Sequence, residues 1–109
     1  MKEIKAVVQP FRLAKIREAC RKVPGFPGMT VYKVEGSGYH PGQPAAAGIK
    51  GELTDYSAKV RLEIVSPDEQ VESLLSILHE VCHTGQPGDG VAWVTPVEYF
   101  LRLRKPRQA

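Results

Sequence analysis

No stretch of this 109-residue sequence approaches the roughly 18 to 20 consecutive apolar residues that a membrane-spanning helix needs. The opening Met1-Lys2-Glu3 is charged and no apolar run follows it, so no secretory signal is expected and the chain is assigned to the cytoplasm. Cysteine is scarce. Cys20 and Cys82 both fall on apolar helical stripes, which fits reduced core thiols rather than a disulfide framework. Aromatic residues make up 7% of the chain. The basic tail of Arg102, Arg104, Lys105 and Arg107 therefore lacks the interleaved stacking platforms of a nucleic-acid binder, and no nucleic acid is expected as partner. That tail reads either as solvated charge or as an anion site. No serine sits in an elbow-like context and no nucleophile–base–orienter set is legible, so the chain is not expected to be an enzyme.

What is present is an ordinary globular composition, 42% hydrophobic and 25% charged with a net charge of +3, on a chain the length of one domain. A single domain over residues 1–109 is expected. Ile4, Ala6, Val7 and Val8 ahead of Pro10 read as a strand. Leu13, Ile16, Ala19, Cys20 and Val23 mark one face of a helix, stopped by Pro24-Gly25-Phe26-Pro27-Gly28. Met29 to Glu35 is rich in β-formers. The segment 36–58 mixes glycine and proline with no periodicity, as functional or disordered loops do.

Beyond it, Val60, Leu62 and Ile64 alternate with Arg61 and Glu63 in a half-buried strand. Ser66-Pro67-Asp68-Glu69 reads as a capping box opening a second helix, whose buried face is Val71, Leu74, Leu75, Leu78, Val81 and Cys82. Val91 to Thr95 is a short strand, and the alternation of Val97, Tyr99, Leu101 and Leu103 predicts a last one. The order is that of an α+β, ferredoxin-like βαββαβ sandwich: an antiparallel sheet with two helices on one face. So short a chain leaves sheet surface and edges for other subunits to close.

Three features could carry chemistry. Gly85, Gly88 and Gly90 in Thr84-Gly85-Gln86-Pro87-Gly88-Asp89-Gly90 permit positive φ and could expose successive N–H groups to phosphate oxygens; a plain glycine-rich turn has the same pattern. Arg102 and Arg104, two apart on a strand, would share a face suited to a polyphosphate or carboxylate, or simply line a solvated edge. Gly36-Ser37-Gly38 offers a second close backbone approach. His79 and His83, with Cys82, could hold a metal. No HExxH pattern accompanies them, and exposed histidines near a helix C-terminus account for them as well, so no metal site is assigned.

Taken in order, these segments resemble the PII signal-transduction proteins along nearly the whole chain. Met1 to Leu13 resembles the family's first strand and helix start, with Gln9 where lysine is more usual. Pro27-Gly28-Met29-Thr30-Val31 and Gly36-Ser37-Gly38 resemble its second strand and the root of its T-loop. Lys59 to Val65 resembles the strand leaving that loop, Thr84 to Gly90 its B-loop, and Arg102-Leu103-Arg104 its closing strand.

The resemblance implies a homotrimer that binds an adenine nucleotide, ATP, ADP or AMP, in clefts between subunits and needs no cofactor. It places Thr30, Gly36, Ser37, Gly38 and Val65 around the adenosine end, and Gly85, Gly88, Asp89 and Gly90 at the phosphates. Arg102 and Arg104 would reach in from the neighbouring subunit. His40 and Lys59 fall at effector positions. A T-loop-like segment at 36–58 would engage a protein target, such as a membrane transporter or metabolic enzyme, in nitrogen or inorganic-carbon metabolism.

The departures from the family shift these expectations. His40 stands for a glutamine that helps bind Mg-ATP and 2-oxoglutarate, Tyr39 for an arginine and Val91 for a lysine. ADP or AMP is therefore favoured over ATP, and a small anion such as bicarbonate over 2-oxoglutarate. Glu52 stands for the tyrosine that some members modify. A metal-binding trimer similar to the CutA proteins, using His40 or the His79/His83 pair, is the second reading.

Overall fold

The computed structural model describes residues 1–37 and 56–107. Four strands and two helices alternate: β1 (Lys2–Val8), α1 (Leu13–Arg21), β2 (Thr30–Gly36), β3 (Ser57–Ser66), α2 (Val71–Cys82) and β4 (Gly90–Pro96). The strands form one antiparallel sheet in the order β2-β3-β1-β4. This is the expected α+β, ferredoxin-like architecture. Of the loop expected at 36–58, Gly36 instead closes β2 and Ser57 and Ala58 open β3, where the two strands pair; residues 38–55 lie outside the described residues.

Register explains the core. Ile4 faces Ile64, Ala6 faces Leu62 and Val8 faces Val60, so the alternate residues of both central strands point to one side. There they meet Ile16 and Cys20 of α1 and Leu74, Leu78 and Cys82 of α2, all buried. Both helices thus cover the same face. Truncating Leu74, which is wholly buried, would cost about 2 to 5 kcal/mol, the usual range for a core leucine. On the uncovered face the Arg61 guanidinium lies between the rings of Tyr32 (5.8 Å) and Trp93 (5.3 Å), while the Tyr32 hydroxyl donates to Glu63 at 2.8 Å. Tyr32, Val91 and Trp93 remain exposed there.

Two local expectations are corrected. The Ser66-Pro67-Asp68-Glu69 capping box is not made. Ser66 is the buried last residue of β3, and its hydroxyl donates to the Pro67 carbonyl at 3.2 Å instead of capping a helix. The chain enters α2 through a 3-10 turn at Asp68–Gln70, and Asp68 meets the terminal ammonium of Met1 at 3.0 Å. The expected last strand at 97–104 is also absent. β4 ends at Pro96, and the chain then runs on as irregular backbone and a turn closed from Lys105 N–H to the Arg102 carbonyl at 3.2 Å. Alternating side chains make a strand only against a partner edge. After Val97, whose amide donates to the Met1 carbonyl at 3.1 Å, the tail finds none among the described residues, leaving Tyr99 at 91% and Leu103 at 89% exposure.

Candidate functional site

The residues singled out from the sequence gather in two places, one at each end of the sheet. The first lies where β1 ends and β4 begins. Past α2 the chain turns through Gly85 (φ +84°), Gly88 (φ +94°) and Gly90 (φ +116°). Gly90 pairs with Val8, and a Cβ there would stand 2.4 Å from the Val7 carbonyl oxygen, so only glycine fits.

Asp89 organises the loop. Its carboxylate accepts from the amides of Thr84 (2.7 Å) and Gly85 (2.9 Å) and from the Thr84 hydroxyl. These hydrogen bonds, led by the Thr84 hydroxyl, hold the Asp89 carboxyl below its ordinary range. The Gly85 N–H, one of those expected to face a phosphate, is thus already taken inside the loop. Gly85 and the Asp89 side chain shape the loop from within.

The loop is tied to the rest of the fold by Gln9, whose amide Nε2 donates to the Gly88 carbonyl at 2.8 Å. Sequence reading noted Gln9 only as a substituted position; its partner is 79 residues away, and the β1–β4 register alone brings them together. Lys59 reaches the same spot. Its Nζ would lie 3.9 Å from a Cβ on Gly88, and its Cγ 3.2 Å from one on Gly36. Gly36 and exposed Ser37, at the end of β2, complete this cluster. Gly38 and His40 lie outside the described residues.

The second cluster is a cleft of about 370 Å³ lined by Glu3, Gly28, Thr30, Val65, Phe100 and Arg102, among others. Arg102 stacks on Phe100 with its guanidinium carbon 5.2 Å from the ring centre. Arg104 is exposed in the following turn, so the two arginines do not share a strand face as expected. Thr30 and Gly36 are opposite ends of β2, about 20 Å apart at the rise of a strand. One chain therefore does not bring Thr30, Val65 and Arg102 together with Gly36, Lys59 and Gly88–Gly90.

Among the described residues no helix is long and apolar enough to cross a membrane. The family model described as nitrogen regulatory protein P-II matches residues 1–107. Nitrogen regulatory protein P-II of Azospirillum brasilense is 36% identical over 104 residues, covering 95% of this chain and 92% of that protein. The namesake from Pasteurella multocida is 38% identical, and nitrogen regulatory protein P-II 1 of Escherichia coli K12 is 36% identical, over the same shares.

Proposed function

This chain belongs to the P-II family of nitrogen regulatory proteins, whose members are regulators and not enzymes, and on that premise we propose that it binds an adenine nucleotide between subunits of a homotrimer. The carrying observation is the separation of the two clusters. A ring of chains meeting head to tail sets one end of each sheet against the other end of the next, as heterologous cyclic contacts do. Arg102 of one subunit then faces Gly36, Lys59 and Gly88–Gly90 of its neighbour. The uncovered sheet face and the unpartnered tail gain neighbours in the same step.

Lys59, poised between Gly36 and Gly88, supplies charge to a phosphate or small anion. Val91 and Tyr39 contribute no cation where the family has one, so ADP or AMP is preferred to ATP. His40 in place of an amide disfavours 2-oxoglutarate with Mg-ATP and suits bicarbonate better. The nucleotide state then sets how segment 36–58 engages a cytoplasmic partner, a transporter or metabolic enzyme, in nitrogen or inorganic-carbon metabolism.

Sedimentation should give a mass near three chains, and calorimetry should give tighter binding of ADP or AMP than of ATP. A stable monomer that binds nucleotide at full strength would overturn the intersubunit site. Tight 2-oxoglutarate binding to the Mg-ATP form would overturn the effector assignment.

A further inference from the structure

We propose that His79 and His83 bind a late first-row divalent transition ion, Zn²⁺, Ni²⁺ or Cu²⁺, at the rim of the groove between α2 and β4. The nucleotide reading is independent of this site. The two histidines lie four residues apart, the spacing that stacks side chains one turn above another on a single helix face. His83 is the first residue past α2, yet its amide still donates to the His79 carbonyl at 2.9 Å and its φ of −71° is helical. Its ring therefore leaves the backbone as a helical side chain would. The imidazoles stack with centroids 4.8 Å apart and planes inclined by 16°. Both side chains are exposed, so χ rotation can turn one lone-pair nitrogen of each toward a common ion at the usual bond length of about 2.0 to 2.1 Å.

The surroundings favour a cation. The last turn of a helix carries partial negative charge. Asp89, ionised and held by Thr84 and Gly85, lines the same groove of about 510 Å³. Arg12 acts against this from beside Cys82. Cys82 itself is only 8% exposed and packs into the core, away from an ion at the exposed rim. Among the described residues no third His, Cys, Asp or Glu joins the pair. Water completes the coordination, and the groove has room for it. Two imidazoles with water select ions late in the first transition row over Mg²⁺ or Ca²⁺, with Cu²⁺ bound most tightly.

The test is calorimetric titration of Zn²⁺, Ni²⁺, Cu²⁺ and Mg²⁺ into the nucleotide-free full chain, with one strong site expected for each of the first three. His79→Ala and His83→Ala should each weaken Zn²⁺ by more than about tenfold, because even loss of an outer partner costs roughly 10- to 100-fold. The double variant should be little worse than either single one, since chelation is lost at the first change. His40→Ala removes the remaining histidine and should bind as wild type. As a second readout independent of the variants, Cu²⁺ should broaden the imidazole resonances of His79 and His83 in the wild-type chain before that of His40. The proposal fails if the wild type binds none of the three ions more tightly than Mg²⁺, if the double variant retains wild-type affinity, or if His40 is broadened first.

Discussion

Replacing Gly90 by alanine separates two costs that are usually confounded, a strained backbone and a blocked space. Gly90 has φ +116° and lies against Val7, whose carbonyl oxygen would be 2.4 Å from the new Cβ. Gly28 has nearly the same φ, +105°, but nothing lies within 4 Å of a Cβ built there. Both substitutions remove the same unfolded-state freedom, and both force an L residue into positive φ, at about 1 to 2 kcal/mol. Only Gly90→Ala must also push apart backbone. Val7 belongs to β1, paired on both sides, by β3 and β4, so it cannot yield alone. Forcing a methyl group into packed structure costs typically about 1 to 3 kcal/mol. Gly90→Ala should therefore be about 2 to 5 kcal/mol destabilised, and Gly28→Ala about 1 to 2. With a urea dependence of roughly 1 to 3 kcal/mol per molar, the two midpoints should differ by about 1 M at one fixed chain concentration. Equal midpoints would refute the close approach of β4 to Val7 that fixes the end of the glycine-rich loop.

Arg102→Ala and Arg104→Ala should each weaken ADP binding by about 1 to 3 kcal/mol, the range for a charged hydrogen-bond partner, with subunit mass unchanged; calorimetry that finds both like wild type removes them from the site. Asp89 is depressed in the folded chain, so its hold on the loop is complete above the ordinary aspartate range, near pH 4, and is lost as pH falls through its lower folded value. Hydrogen exchange at the Thr84 and Gly85 amides should show that acid step in wild type and lack it in Asp89→Asn; the same profile in both would sink the assignment. Cys20 and Cys82 are buried and both thiols are raised, so the stability they contribute is full below the ordinary thiol range and declines as pH climbs through it. Thiol reagent at pH 8 should label them only as fast as the fold opens, and immediate labelling without denaturant would contradict their burial.

The elements that could be read from the sequence are those whose signal lies in a few neighbouring residues. Val60, Leu62 and Ile64 alternate because one side of β3 meets helices, and Leu74, Leu78 and Cys82 recur at helical spacing for the same reason. The failures lie where the outcome depends on a partner far along the chain or outside it. Val97, Tyr99, Leu101 and Leu103 alternate as faithfully as β3 does, but beyond Val97 no edge among the described residues receives them. Ser66 has the capping residue type, yet the pairing of β3 with β1 buries it as a strand residue facing Lys2. Asp89 was legible as part of a glycine-rich loop, but not its use of both oxygens to close that loop from within. The separation of Thr30 from Gly36 was implicit in seven consecutive strand residues, and it is this separation that one-chain reasoning about the adenosine end overlooks.

The same geometry gives the proposed regulation a physical route. Segment 38–55 is rooted in two adjacent strands, leaving β2 after Gly36 and returning just before Ser57, which pairs with Gly36. Two residues into β3 stands Lys59, whose side chain lies alongside Gly36 and extends to Gly88. An anion bound at Gly88 would draw on the Lys59 ammonium, and whatever moves Lys59 moves a side chain packed against the root of the segment. Gln9 holds the Gly88 carbonyl from the other side, so the loop has little freedom to follow the ligand itself. The softer element is then the lysine stem, not the cradle. A ligand changes the state of the segment only by interacting differently with its alternatives, and Lys59 lies against both Gly88 and the root at Gly36. Lys59→Ala should therefore weaken ADP and, even at saturating ADP, leave partner binding unresponsive to it, whereas Arg102→Ala should weaken ADP by about 1 to 3 kcal/mol and keep the full partner response once ADP saturates; partner capture at saturating ADP that is the same for both variants would refute the route.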